Sequence, residues 1–225
     1  VPMLYLVPTP IGNLEDITLR AIRTLKECNY ILAEDTRTSR KLLDHHSIST
    51  PLRPFHAFNE HHVTENIVKE LLSGISISLI SDAGTPGISD PGFLLVRACV
   101  RAGVEVTCLP GATAIIPALA ASGLPTDSFH YEGFLPHKKG RQTRLKYIEQ
   151  LLETSVIYES PHRLVKLIDE LSTICGPDRN ACVCRELSKL HETFHRGSLI
   201  ELQTYFKEHP GQVRGEIVFL LAGKS

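Results

Sequence analysis

Residues 75–103 read ISISLISDAGTPGISDPGFLLVRACVRAG. The stretch opens on ISISLI (75–80), a short apolar run with isoleucine at alternate positions, the pattern of a buried strand. It closes on FLLVRACVRAG (93–103), whose apolar residues recur at helical spacing until Gly103 stops them. Between the two lies SDAGTPGISDPG (81–92), a loop dense in glycine and proline. A strand that passes through a tight loop into a helix is half of a β-α-β unit, the connection that joins parallel strands.

The same alternation extends in both directions. MLYLV (3–7) reads as a strand, and DITLRAIRTLKEC (16–28) as a helix with Leu19, Ile22 and Leu25 on one face and Asp16 as its cap. YILA (30–33) is a strand and TENIVKELLSG (64–74) a helix. VEVTCL (104–109) is a strand, and ATAIIPALAASG (112–123) a helix despite Pro117. Strands separated by helices of this length predict a mostly parallel sheet with helices on both faces, and ligands bind such sheets at the carboxyl ends of the strands. PTPIGN (8–13), the 81–92 loop and PGAT (110–113) all fall at such ends, so three loops are expected to converge.

LPTDS (124–128) reads as a boundary, giving an N-terminal α/β domain over 1–122 and a C-terminal one over 123–225. The second is expected to contain FHYEGF (129–134), a basic helix KKGRQTRLKYIEQLLE (138–153), strand SVIYE (155–159) and helix HRLVKLIDELSTI (162–174). Strand NACVCRE (180–186), helix SLIELQTYFKE (198–208) and strand EIVFLLAG (216–223) complete it. The fold class is therefore α/β, two such domains with a cleft between them.

Composition excludes several functions. The 225 residues carry a net charge of −1, so no global field draws in nucleic acid and any such partner must be met by a local patch. Six cysteines without framework spacing imply reduced thiols in a cytoplasm. No apolar run approaches the roughly 20 residues of a membrane helix. Val1 and Pro2 precede the only methionine, Met3, and read as a cleavage remnant.

Neither G-x-G-x-x-G after the first strand nor a P-loop is present, so the usual dinucleotide and nucleotide sites lack their mechanics. The 81–92 loop carries Asp82 and Asp90 but no lysine or arginine, which is the wrong charge for phosphate. Carboxylates and bare carbonyls suit a cationic or hydroxyl-bearing ligand, a sulfonium or a ribose. The structural alternative is a tight connection in which Asp90 caps the helix beginning near Pro91.

HETFH (191–195) matches the zinc-protease pattern H-E-x-x-H formally, but Thr193 and Phe194 favour strand and Gly197 follows, so no metal is expected. Cys182 and Cys184, at i and i+2 of an apolar strand, read as core. HKKGRQTRLK (137–146) offers Lys138, Lys139, Arg141 and Arg144 either as a solvated helix face or as a phosphate-backbone footprint; RTSRKLLDHH (37–46) adds Arg40 and Lys41. AEDTR (33–37) and YESPHR (158–163) place charged groups at predicted strand ends.

Taken together, LVPTPIGNLEDITLRA (6–21), AEDTRTSRKLL (33–43), SDAGTPGISDPG (81–92), LPGATA (109–114), EGFLP (132–136), YESPHR (158–163) and RELSKLHETFHRG (185–197) resemble, in order and over nearly the whole chain, the rRNA-modifying branch of the tetrapyrrole methylase fold family. The resemblance implies a homodimer that uses S-adenosylmethionine to methylate the ribose 2′-hydroxyl of a cytidine in the decoding centre of 16S rRNA, on the small ribosomal subunit. It implies cofactor contacts from Pro10, from Asp82, Ala83 and Gly84, and from Thr113 and Ala114. From the second domain it implies Phe134, Leu135, Tyr158, Glu159, Arg185, Glu186, Gly215 and Glu216. The HETFH segment belongs to a motif of that family that holds no metal. Family members commonly extend beyond AGKS (222–225), which implies a weaker grip on RNA here or reliance on the dimer.

Methyl transfer to a ribose hydroxyl needs an in-line arrangement and a base for a weakly acidic proton. Asp35 and Glu34 in AEDTR, and Glu159 or His162 in YESPHR, are the candidates, with Arg37 or Arg185 orienting a phosphate; Glu159 and Asp35 are favoured because both end predicted strands. Two other functions remain open on the residues: a C-methyltransferase of a tetrapyrrole precursor, whose carboxylates the same bases would also suit, and a non-catalytic ribosome binder.

Overall fold

The computed structural model describes residues 2–224, so Val1 of the expected remnant and the final Ser225 lie outside it. The chain forms two compact units, ending and beginning at Thr113 and Ala114.

The first unit runs β1 (Leu4–Leu6), α1 (Leu19–Glu27), β2 (Tyr30–Ala33), α2 (Thr36–His45), β3 (Leu52–Pro54), α3 (Glu60–Leu72), β4 (Ile77–Leu79), α4 (Phe93–Arg101) and β5 (Val106–Cys108). Its sheet has the order β3-β2-β4-β1-β5, and every pairing is parallel. Alternation along β2 shows why helices cover both faces. Tyr30 and Leu32 pack with Ile67 and Leu71 of α3 and with Leu95 and Cys99 of α4. Ile31 and Ala33 point the other way, to Ala21 and Leu25 of α1 and Leu43 of α2. Leu25, Leu43, Leu71 and Leu95 are fully buried, each worth about 1.5–3 kcal/mol of transfer free energy.

One local expectation is corrected, and two elements appear that the sequence reading does not name. Thr18, not Asp16, caps α1, its hydroxyl accepting from the Ala21 N–H; Asp16 ends a separate short 3-10 turn. The basic stretch after AEDTR is the helix α2, begun by Asp35, whose carboxylate accepts from the N–H groups of Arg37 and Thr38. Three-residue β3, ending in proline, carries too little pattern to read from sequence and exists because β2 offers it an edge.

The second unit runs α5 (Ile115–Ser122), β6 (Phe129–Phe134), α6 (Arg141–Gln150), β7 (Thr154–Glu159), α7 (Pro161–Cys175), β8 (Asn180–Arg185), β9 (Thr193–Ser198), α8 (Leu199–Glu208) and β10 (Ile217–Leu221). The sheet order is β6-β7-β10-β8-β9, with only β6 and β7 parallel. β10 enters between β7 and β8 and runs against both. One face packs on α6, α7 and α8 through Leu145, Leu164, Leu167, Leu171, Leu202 and Phe206.

Helix α5 belongs to this unit rather than to the first, so the compact units divide before it and not at the expected 122/123. The Cys184 thiol points to the Ala118 carbonyl, and the Arg196 guanidinium donates to the Ala121 and Ser122 carbonyls that end the helix. Pro117 is tolerated because it lies in the first turn, where the N–H groups have no helical acceptor. The basic helix is shorter than expected: Lys138 and Lys139 precede Gly140, whose φ of 86° turns the chain into α6.

Candidate functional site

In the first unit, side chains and backbone tie the loops at the carboxyl ends of four strands into one assembly. Thr9, after β1, exchanges both backbone hydrogen bonds with Gly84, after β4, each 2.9 Å long. The Thr9 hydroxyl also donates to the Ser81 carbonyl at 3.0 Å. Thr85 donates to the Ala112 carbonyl at 3.2 Å, joining the 81–92 loop to PGAT after β5. A Cβ on Gly111 would stand 2.7 Å from the Pro8 ring, so only glycine lets the two proline turns meet. Gly84 itself sits at φ 78°, a conformation glycine adopts without steric cost.

The loop after β2 joins the same assembly. The Asp35 N–H donates to the Asp82 carboxylate at 3.1 Å, so that Asp82 lies against the amide-rich start of α2. Three carboxylates thereby gather. Burial, then the charge of Asp82, raises Glu34 above the usual carboxylate range, against an opposing pull from His56. Burial, then the charge of Glu34, pushes Asp90 up to about 6, a hydrogen bond with Ser81 working the other way and Asp82 adding to the rise. Asp35 behaves oppositely: hydrogen bonds from the Arg37 side chain and backbone hold it low.

Asp90 is therefore not the cap of α4. Glu60, at the start of α3, performs that task, its buried Oε1 accepting from the N–H groups of Gly92 and Leu94 at 3.1 Å each. No local pattern could have identified it, since 32 residues separate Glu60 from Gly92.

The structure separates the catalytic candidates. Glu34 is half-buried with a raised pKa; Asp35 is occupied as a helix cap and by Arg37. Glu159 does end β7, but its side chain is 1% exposed. Its Oε1 accepts from the Ser160 N–H and from Arg163, both at 2.7 Å, and Arg141 lies 3.8 Å from Oε2. Glu159 is thus held inside the second unit by the Ser160 amide and two arginines, with Oε2 making no hydrogen bond. His162 is exposed on the first turn of α7, and Arg37 projects with 90% of its side chain exposed.

Of the basic residues, Lys138, Lys139, Arg40 and Lys41 are exposed. Arg141 is corrected: its side chain is 4% exposed and binds Glu170 through two nitrogens, at 2.9 and 2.7 Å. Arg144 is half-exposed but bound to Glu132, whose carboxyl burial pushes up and the arginine and His130 hold low.

The remaining second-unit residues fall into two groups. Phe134 and Tyr158 meet edge to face, with centroids 5.5 Å apart, and Leu135 is buried beneath α6 and α7. Arg185 is buried and donates to the Thr193 hydroxyl. Glu186, at φ 53°, accepts from the Glu216 N–H and from Lys189, while Lys189 also reaches Glu216. Gly215 packs so closely on the Glu186 side chain that no Cβ fits. HETFH lies across a turn and β9 rather than on a helix, so its histidines do not share a helical face. His195 instead packs on Tyr205 and Phe206.

The site is thus a stitched set of loops at the carboxyl edge of a parallel sheet, its 81–92 loop acidic and without lysine or arginine, followed in the chain by a mixed second sheet. Residues 3–203 match the family model for tetrapyrrole (corrin/porphyrin) methylases, and the chain belongs to that family. Solved structures agree on the fold. A uroporphyrin-III-C-methyltransferase from Thermus thermophilus superposes with a TM-score of 0.66 at 19% identity, over 99% of this chain and 94% of that one. A diphthine synthase gives 0.77 at 13% identity, over 99% and 90%.

Within the family, the chain groups with proteins named ribosomal RNA small subunit methyltransferase I. It is 48% identical to that of Vibrio cholerae, over 99% of this chain and 77% of the relative. To that of Synechocystis it is 49% identical, over 98% and 79%.

Proposed function

We propose that this enzyme transfers the methyl group of S-adenosylmethionine to the ribose 2′-hydroxyl of a cytidine in the decoding centre of 16S rRNA. The observation that carries the reading is identity of 43–49%, over nearly the whole chain, to relatives named for small-subunit rRNA methylation. The first-unit loops fit the cofactor. A sulfonium is a cation without phosphate, and Asp82, Glu34 and Asp90 gather carboxylates where a phosphate site would need bases. Pro10, Asp82, Ala83, Gly84, Thr113 and Ala114 would hold it. In the second unit, Phe134, Leu135, Tyr158, Arg185, Glu186, Gly215 and Glu216 are the residues that the family resemblance proposes for cofactor binding.

When bound, the cofactor supplies a methyl carbon already activated by its sulfonium. The protein's contribution is to hold the ribose oxygen in line and to remove its proton. Glu34 is assigned the proton: its raised pKa makes it a better acceptor than Asp35, whose lone pairs are engaged by Arg37 and the start of α2. Exposed Arg37, Arg40 and Lys41 on α2, with Lys138 and Lys139, are assigned to RNA phosphates. On the same family grounds the enzyme is taken to act as a cytoplasmic homodimer; among the described residues no helix is long and apolar enough to cross a membrane.

The test is methyl transfer from labelled S-adenosylmethionine to small subunits lacking the modification, with mass spectrometry locating the product. A methyl on a decoding-centre cytidine ribose is expected. Tight cofactor binding without transfer to RNA would return the substrate to a small tetrapyrrole precursor.

A further inference from the structure

Phe58 is 91% exposed, yet the turn beneath it is tightly bonded. The His56 N–H donates to the Asn59 side-chain oxygen at 2.8 Å, and the Asn59 amide nitrogen donates to the Pro54 carbonyl at 3.1 Å. The Asn59 and Glu60 N–H groups both donate to the His56 carbonyl at 2.9 Å. The turn leads directly into α3, whose first residue, Glu60, is pinned to the start of α4. The Phe58 ring meets the His56 ring at 6.1 Å and 62°, an edge contact that leaves a face open.

The position of this ring follows from the sheet. The Phe55 N–H donates to the Ala33 carbonyl at 2.8 Å, so the β2–β3 ladder continues one step past β3. The continued register sets Glu34 opposite Phe55, one residue before His56, whose charge acts on the Glu34 carboxyl. On the other side of Glu34 begins α2, with exposed Arg37, Arg40 and Lys41. An open aromatic face and a cationic helix thus flank one half-buried carboxylate. This is the combination that binds single-stranded RNA: bases stack on the ring while cations follow the backbone.

We propose that Phe58 is the stacking platform for an unpaired base adjoining the methylated nucleotide, a specificity-determining residue for the reaction proposed above, on which this inference rests. A ribose hydroxyl must be presented to Glu34 with its nucleotide drawn out of the helical stack. The neighbouring base thereby loses a stacking partner, and Phe58 replaces it.

Phe58→Ala and Phe58→Trp are compared in methyl transfer to unmodified small subunits. Loss of one base–aromatic stack predicts a rise of about five- to a hundredfold in KM for the subunit in the alanine variant. Phe58→Trp, which keeps the π face, stays near wild type. Cofactor affinity holds in both, and the salt slope of subunit binding is unchanged, whereas Arg40→Ala lowers that slope by about 0.7–0.9. A KM within about twofold of wild type for Phe58→Ala, far below the cost of a lost stack, overturns the proposal. So does a change in sedimentation of Phe58→Ala, which would place the ring between two copies of the chain. Failure of the functional reading is distinguishable, because then the wild-type protein transfers no methyl to RNA at all.

Discussion

Arg141 lies in the basic stretch that sequence marks as an RNA footprint, and its replacement by alanine separates a structural cation from a binding one. Its guanidinium makes three hydrogen bonds to Glu170, donates to the Pro136 carbonyl at 3.3 Å, and lies 3.8 Å from Glu159. Removing it leaves Glu170, with a side chain 16% exposed, without this partner and Glu159 with Arg163 and the Ser160 N–H. Deleting one partner of a buried ion pair costs about 3–5 kcal/mol. For a chain of this size that corresponds to a fall of about 6–20 °C in the unfolding midpoint. The assay is thermal and denaturant unfolding of Arg141→Ala beside the Lys138→Ala/Lys139→Ala double variant, with subunit affinity measured from low to high salt. The arginine variant is expected to lose stability with an unchanged salt slope. The lysine variant is expected to keep its stability while its slope falls by about 0.7–0.9 per lost phosphate contact. The reasoning fails if Arg141→Ala unfolds within about 1 kcal/mol of wild type and flattens the salt response instead.

Glu34→Gln should abolish most turnover while cofactor still binds; in the wild type, the rate should rise with pH through the elevated Glu34 pKa, because the deprotonated form accepts the proton. A pH profile of kcat that Glu34→Gln leaves unaltered would refute the assignment. Burial and the neighbouring Glu34 push Asp90 up to about 6 from the ordinary aspartate value of 3.8, so its charge opposes folding above about pH 6 and makes no difference below about pH 4. After discounting for its partial exposure, Asp90→Asn should stabilise the protein by about 1–2 kcal/mol at pH 7 and by nothing at pH 4, read by unfolding at both values. Gly215→Ala should destabilise the second unit by more than about 2 kcal/mol, since the left-handed backbone and the Glu186 contact both resist a Cβ; an unfolding midpoint equal to wild type would contradict that.

What the residues alone determined about this protein is local: strand and helix periods, the glycines that permit tight turns, and the loops at the strand ends of the first sheet. The stretch 75–103 was legible because period-two and period-3.6 burial are encoded among near neighbours, and the two aspartates of its 81–92 loop, without a lysine or arginine, argue against a phosphate ligand. The ordered motifs carried the family for the same reason, being short and contiguous.

The tertiary structure decided whatever depends on contacts far apart in the chain. It assigned α5 to the second unit, where β8, β9 and β10 offer it a face. It made the second sheet mostly antiparallel by inserting β10 between β7 and β8. It chose Glu60 over Asp90 as the cap of α4, and it withdrew Arg141 and Glu159 from the surface into a shared ion-pair network. A charged side chain looks the same in sequence whether solvent or another charge meets it. Only the packed chain sets which of the two prevails, because desolvation and pairing energies depend on partners that linear order does not name.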